Sequence, residues 1–430
     1  MRILFLSENF PPETNAAATR VYERACYWVR DGHDVTVLTQ APNFPQGRLL
    51  DGYRNRWRQV ETRDGIRVVR VKTYIAANEG FLRRTLDFTS FMASAVGFGL
   101  FEPRPDVVVA TSPQFFSAVA GWLLAALRRR PFVFELGDLW PASIVAVGAM
   151  REGALLRAIE RLELFLYRRA EAVVALTPSF KRDLVARGVE AGKIAVVVNG
   201  VDAPRYGPRP RDPALEAELG LSGRFVAGYV GTHGMAHALE NVLDAAALAA
   251  GDERIRFLFA GAGAARAGLI AEAGRRGLGN VVFLGAQPKE RMPVVWSLCD
   301  AALIHLKDEP VFAEVIPSKI FEAMAMGLPL LVAAPEGEAT RIVRDCGAGI
   351  CVPPGDPAAL AAAARRLADD EPLRAHYAAA ALVAAPRFSR AFQARAMMTA
   401  LEAAAKGAGA DAAARVDALA PPAGARAQRA

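Results

Sequence analysis

The chain has 430 residues, 53% of them apolar and 23% charged, too long for one modest core and too apolar for a disordered polymer, so two domains or one large one are expected. The net charge of +7 is unevenly held: residues 1–200 carry 27 Lys+Arg against 20 Asp+Glu, while the other 230 carry 25 of each. A basic first half predicts contact with an anionic surface, nucleic acid or a lipid headgroup layer.

Arg2–Ser7 is a short apolar run, Thr19–Asp31 has a helical pattern stopped by Gly32, and His33–Thr39 is a second strand. This strand, loop, helix and strand open a parallel α/β sheet. The leading run turns polar and proline-rich too soon for a signal peptide. The first loop lies where the carboxyl end of a first strand presents a ligand. Pro11-Pro12 stiffen it and Asn15 and Ala16 keep it small before the helix, so substrate contact is expected there, with a plain connection as the alternative. Val60–Val71 alternates around Asp64-Gly65 like a hairpin. Phe81–Phe101 is a longer apolar run with Arg83-Arg84 at its front. Asp87, Thr89, Ser90 and Ser94 argue against a membrane span, leaving a core-facing helix or one lying in a bilayer surface. Arg128–Arg130, Arg168 and Arg169 add basic patches.

Asp106–Ala110 and Phe132–Glu135 are β-rich and lead into Thr111-Ser112-Pro113-Gln114 and Gly137-Asp138-Leu139-Trp140-Pro141. A carboxylate directly after a buried strand is costly without a partner or a task, so Asp138 is the catalytic candidate of this half and Glu135 the second. Strand Ala172–Leu176, a helix from Pro178 and strand Ile194–Val198 follow. Asn199-Gly200-Val201-Asp202 and the Pro/Arg-rich stretch to Asp212 mark a domain boundary.

Phe225–Val230 restarts the alternation, and Gly231-Thr232-His233-Gly234 leads into a helix from about His237 to Ala250. Arg256–Ala260 meets Gly261-Ala262-Gly263, Val281–Leu284 meets Gly285-Ala286-Gln287, and Asp300–His305 meets Val311–Pro329. In a parallel sheet these four strand ends share one edge, where glycine lets the backbone approach a phosphate. Glu314 and Glu322 stand eight positions apart in the last stretch. Pro317-Ser318 start a short helix and Gly327 with Pro329 stops it, placing Glu322 in its first turn and Lys319 beside its N-terminus. Such an end is an anion site suited to phosphate, and Glu322 can accept two hydrogen bonds from a ribose diol; an ordinary amphipathic helix with a solvated Glu is the alternative. Leu330–Ala334, a strand near Ile350–Val352, Ala-rich helices over Asp356–Ala384 and a helix over Phe388–Ala405 follow. Lys406–Ala430 has no apolar period and is expected to be a disordered tail. Cys26, Cys299, Cys346 and Cys351 show no metal or redox spacing, which fits reduced thiols in a cytoplasmic protein. No Asp-x-Asp pair occurs, so without an evident metal site Lys319, helix termini and backbone N–H groups must offset a pyrophosphate, an arrangement suited to departure of a diphosphate.

On these residues the chain resembles the retaining nucleotide-sugar glycosyltransferases of family 4 over about residues 1–405. Glu314 and Glu322 match that family's Glu-x7-Glu element, followed by AMAMGLP; Val198–Asp202 matches its inter-domain turn and Gly231 its glycine loop. The strings NFPPE, GDLWPASIV, GTHGMAHALE and IPSKIFEAMA are similar to the L-fucosamine-transferase-like branch that builds capsule, O-antigen or related surface glycans. The resemblance implies the GT-B fold: α/β, two Rossmann-like open parallel-sheet domains facing a cleft. Residues 1–200 would bind acceptor and face the membrane, 201–385 would bind donor, 386–405 would be a helix crossing back to the first domain, and 406–430 the tail. It also implies Glu322 on the donor ribose, Glu314 on hydroxyls of the transferred sugar and Gly285–Gln287 around the nucleobase. The donor site would then take in Gly231, Thr232, His233, Gly234, Gly261, Gly263, Gly285, Ala286, Gln287, Pro317, Ser318, Lys319 and Glu322; the acceptor site Asn15, Ala16 and Trp140; and the catalytic pair Asp138 and Glu314. Two departures stand out. Thr14-Asn15-Ala16 replaces a frequent Gly-Gly pair, and Thr232, His233 and His237 stand where many members carry Arg and Lys, leaving Lys319 as the nearest basic substitute at the pyrophosphate. Asp138 stands at a position that is often His in the family.

The expected function is transfer of a hexose-type, N-acetylated sugar from a UDP-sugar, with retention, to a polyprenyl-diphosphate-linked glycan. It would need no cofactor or metal and would work at the anionic inner face of the plasma membrane, with no nucleic-acid partner. A UDP-sugar 2-epimerase on the same architecture and a non-catalytic sugar-nucleotide-binding protein are the alternatives.

Overall fold

The computed structural model describes residues 1–13, 15–44, 47–75, 81–112, 115–139 and 153–419. The chain divides into two compact units, Met1–Asn199 with Arg390–Ala430, and Gly200–Ser389.

In the first unit Arg2–Leu6 (β1), Asp34–Gln40 (β2), Arg58–Arg63 (β3), Ile66–Val71 (β4), Val107–Thr111 (β5), Phe132–Leu136 (β6), Ala172–Ala175 (β7) and Ile194–Val196 (β8) form one sheet in the order β3-β4-β2-β1-β5-β6-β7-β8. Neighbours pair parallel except β3 and β4. These two are closed by Asp64 and Gly65, both at positive φ, the backbone that a tight two-residue hairpin requires. The near-continuous apolar strands are covered on both faces. Ile3 and Phe5 enter one core with Trp28 and Met397, whereas Leu4 and Leu6 enter the other with Phe91 and Leu124. The Arg390–Ala405 helix therefore belongs to the first core, where Ala394 O accepts a 2.9 Å hydrogen bond from Trp28 Nε1. The Phe81–Gly99 helix buries Phe91 and Ala95, and among the described residues no helix is long and apolar enough to cross a membrane.

The expected disordered tail is corrected in part. A turn at Gly409–Asp411 and a helix at Ala412–Asp417 bury Ala412, Ala413 and Val416, and residues 420–430 lie outside the described residues. Glycine makes the docking possible, because a side chain at Gly409 would strike Glu171 O and one at Gly192 would strike Ala410 O.

The second unit holds Phe225–Val230 (β9), Ile255–Ala260 (β10), Val281–Leu284 (β11), Ala301–His305 (β12), Leu330–Ala333 (β13) and Gly349–Val352 (β14) in the order β11-β10-β9-β12-β13-β14, all parallel. The order in which strands are added reverses between β9 and β12, and ligands of such sheets bind outside the carboxyl ends at that switch point. The helix expected from about His237 begins later, at Glu240, and ends at Leu248. A one-turn 3-10 segment, Met235–His237, precedes it, and Ala238 at φ +39 interrupts the helical path.

Candidate active site

The four loops singled out at the strand ends of the second unit follow β11, β10, β9 and β12, which are adjacent in the sheet. They are bonded to one another: Gly231 N–H donates to Ala260 O at 2.9 Å, Gly261 N–H to Leu284 O at 3.0 Å and His233 N–H to Ala262 O at 2.8 Å. Glycine is obligatory at two contacts. Gly261 at φ +143 has no room for a side chain against Gly231 O, and Gly263 at φ +152 has none against His233 O. Gly231, Thr232, Gly261, Gly285, Ala286 and Gln287 thereby line one cavity of about 250 Å³, closed on its apolar side by Met292 and Val295.

The short helix forms over Lys319–Ala325 with Glu322 in its first turn, and Gly327 at φ +71 ends it. Its entry differs from expectation in one respect. Ser318 makes no side-chain cap, and the N–H groups of Ile320 and Phe321 donate to the carbonyls of Pro317 and Ser318, so fewer donors are free for an anion. Lys319 turns inward. Its side chain is 9% exposed, and Nζ sits 3.6 Å from the ring centroid of Tyr229 and 3.0 Å from where a Gly231 side chain would start. Nζ has no hydrogen-bond partner among the described residues, and burial pushes the ammonium down to about 7, with Glu322 opposing. An ammonium from the loop after β12 thus stands beside the loop after β9. Burial pushes the Glu322 carboxyl upward, opposed by hydrogen bonds from Trp296 and Tyr206 and by Lys319 and Lys289. Glu314 closes a 3-10 turn, Pro310–Glu314, and is exposed; Gly337 lets that turn approach, since a side chain there would strike Ala313 O.

The histidines act as braces. His233 is fully buried against Tyr229 and Phe259, neither ring nitrogen has a partner among the described residues, and burial with nearby Arg266, Lys319 and His237 pushes it down to about 4. It therefore gives the site its main chain, while its imidazole packs in the core. His305 Nδ1–H donates to His237 O at 2.8 Å and its Nε2 accepts from Asn241 at 2.8 Å, while His237 Nδ1 meets His305 O at 3.2 Å. Gly234 begins the turn between them.

At the first unit's carboxyl edge, Asp138 follows β6 and is half-buried, and Ser112 Oγ accepts from Gly137 N–H at 2.8 Å and Asp138 N–H at 3.3 Å. Glu135 is not a second catalytic candidate: its carboxylate is fully buried between Arg24 and Arg20, the latter at 3.2 Å. Burial would raise it, but the two guanidiniums prevail and hold it at about 2. Asn15 caps the Ala16–Arg30 helix, its Oδ1 accepting from Ala18 N–H at 2.8 Å, and Ala16 is exposed at the first helical position. Glu13 accepts from Asn9, Phe10, Asn43 and Phe44, tying this loop to the one after β2. Trp140 lies outside the described residues. Sequence reasoning missed Tyr229, Trp296, Tyr206 and Arg266; only Arg266 left a signal, a basic residue opening the helix after Gly263.

Residues 15–200 match the family described as Glycosyl transferase 4-like domain, and residues 213–382 match Glycosyl transferases group 1. A protein of Escherichia coli K12 named for colanic acid biosynthesis, the glycosyl transferase WcaI, is 28% identical over 384 residues, covering 85% of this chain and 92% of that protein. The GDP-mannose-dependent alpha-mannosyltransferase of Mycobacterium tuberculosis is 25% identical over 83% of this chain and 85% of its own. Among solved structures, HepE of Anabaena in complex with UDP superposes with a TM-score of 0.68 at 20% identity, covering 94% of this chain and 100% of that one. Sucrose-phosphate synthase of Thermosynechococcus elongatus gives 0.69 at 19% identity, covering 92% and 97%. The two family matches together span most of the chain, the sheets have the matching architecture, and the chain belongs to the GT-B glycosyltransferases.

Proposed function

We propose that the enzyme transfers an N-acetylated hexose-type sugar from a UDP-sugar, with retention, to a polyprenyl-diphosphate-linked glycan at the inner membrane face during surface-polysaccharide synthesis. The observation that carries the donor assignment is the buried Lys319 ammonium beside Gly231, without a hydrogen-bond partner among the described residues, at the margin of a cavity lined by the three glycine loops. The diphosphate lies against Gly231 and Lys319, the nucleobase against Gly285–Gln287, and the ribose diol on Glu322. Glu314 is assigned to hydroxyls of the transferred sugar, Asp138 to orienting the acceptor or stabilising the oxocarbenium-like sugar, and Asn15, Ala16 and Trp140 to the acceptor. The bond from the sugar's anomeric carbon to the diphosphate breaks, the acceptor oxygen bonds that carbon from the same face, and its proton passes to the departing diphosphate. Charge grows on the diphosphate in that step, where Lys319 and the loop N–H groups stand. No cofactor or metal is assigned. A relative named for colanic acid synthesis supports the polysaccharide role, and a neighbour solved with UDP supports the donor class. The mannosyltransferase named for GDP-mannose favours GDP as the second reading.

Calorimetric titration with a panel of UDP-, GDP- and ADP-sugars, repeated on Glu322→Ala, decides the donor. Binding of a UDP-sugar that Glu322→Ala loses supports the proposal; binding of GDP-sugars alone selects the second reading. Release of an epimerised sugar without acceptor would indicate the epimerase. Asp138→Asn is expected to lower kcat by about 10²-fold or more with little change in donor KM, and normal turnover would remove Asp138 from the mechanism.

A further inference from the structure

We infer that Trp296 and Tyr206 are positioning residues that aim the Glu322 carboxylate and so set the enzyme's preference for a ribose bearing both hydroxyls. The inference rests on the assignment of Glu322 to the donor ribose made above. Trp296 is fully buried on the short helix Met292–Ser297, and its Nε1–H donates to Glu322 Oε2 at 3.0 Å. Tyr206, 8% exposed, comes from the stretch that follows the turn at Val198–Asp202 and acts with the indole to hold the Glu322 carboxyl down. Tyr206 also shares the lining of a cavity of about 450 Å³ with Val294 and Ser297 of the helix that carries Trp296.

A carboxylate offers about four lone-pair directions, and the indole takes one, which leaves enough for both hydroxyls of a vicinal diol. The indole also fixes the rotation of the carboxylate plane, because an N–H locked in a core cannot follow a rotating acceptor. Val295, the neighbour of Trp296, lines the glycine-loop cavity while Trp296 points back at Glu322. One turn of helix therefore contacts the space for the donor and holds the group that reads it. Both donors favour the ionised carboxylate, opposing the burial that acts against it.

The test compares UDP with 2′,3′-dideoxy-UDP by calorimetry on the full chain, the wild type, Glu322→Ala, Trp296→Phe and Tyr206→Phe, with thermal unfolding of each. Wild type is expected to prefer UDP by about tenfold or more, as two hydrogen bonds to a charged group imply. In Trp296→Phe and Tyr206→Phe, UDP binding weakens while dideoxy-UDP binding stays within about twofold, so the preference falls towards that of Glu322→Ala. A preference retained in both variants overturns the inference, as does an equal loss of both ligands, which a purely structural role would give. Should Trp296→Phe fail to fold, Tyr206→Phe decides alone. A wild type without the preference, or a Glu322→Ala that keeps it, overturns the ribose assignment and this inference with it, and that pattern is distinct from failure of the variants alone.

Discussion

Lys193 in the first unit and Lys319 in the second are buried to nearly the same depth, 8% and 9% exposed, and are kept there in opposite ways. Lys193 Nζ donates to Arg168 O at 2.9 Å and Ala170 O at 2.8 Å, closing the chain around β7, whereas Lys319 Nζ sits over the face of Tyr229 with no hydrogen-bond partner among the described residues. The same contrast extends to the edges around them. Glu135 is held by Arg20 and Arg24, and Glu13 accepts four hydrogen bonds, while at the second unit's edge the Lys319 ammonium and the His233 imidazole have no hydrogen-bond partner among the described residues. Removing an ion from water without a partner costs several kcal/mol, so a fold that keeps such a group is less stable than it could be. In the proposed reading the contrast makes Lys193 and Glu135 scaffold and Lys319 the group that meets the donor's anion.

Four substitutions or titrations would break or sharpen that contrast. The largest effect is expected at Glu135→Gln, which leaves two buried guanidiniums without a counter-charge and should lower unfolding free energy by about 3–5 kcal/mol in urea melts. Because the folded carboxyl lies at about 2, below the usual 4.5, its contribution is present above pH 4.5 and is lost as pH falls towards 2. The deficit of the Gln variant should shrink in that acid window and nowhere above it. Next comes Lys319→Met, for which UDP affinity should fall by about 100-fold, roughly 2.7 kcal/mol, while the melting temperature holds or rises. A fall in melting temperature would mean that Lys319 is scaffold after all. Its folded value of about 7 is below the ordinary 10.5, so the folded chain binds fewer protons across that window and the stability advantage of Met narrows as pH rises through it. Lys193→Met should do the reverse, leaving two buried carbonyls unsatisfied at a cost of about 1–3 kcal/mol with UDP affinity unchanged. The smallest effect is a titration: above pH 7, UDP affinity should decline by at most about tenfold per pH unit as Lys319 loses its proton, and Lys319→Arg should flatten the decline because a guanidinium stays charged.

The glycine loops were legible because strand, glycine and helix follow one another in the chain, and Gly231, Gly261 and Gly285 each stand directly after an apolar run. The β/α alternation then placed their strands side by side. What sequence concealed was the direction of side chains and partners far away in the chain. Glu135 read as a catalytic candidate since Arg24, 111 positions away, gives no local sign of pairing with it. Trp296 meets Glu322 across 26 positions and a change of element. Lys319 was placed in the right stretch, but a seven-residue helix packed on both sides turns it inward, which no periodicity predicts. Residues 412–417 show the same limit: alanine carries too little apolar contrast to show a period, yet fits closely where glycines clear the way.

The return of Arg390–Ala405 to the first unit makes residues 200–389 a guest inserted within a host. Its entry and exit are joined side by side, Val201 bridging Ser389 and its N–H donating to Phe388 O at 2.8 Å. A guest whose ends meet can be excised, or its chain reconnected there with new ends opened elsewhere, without drawing any strand out of either sheet. The second unit is in this sense a cassette, open to exchange for another of the same build.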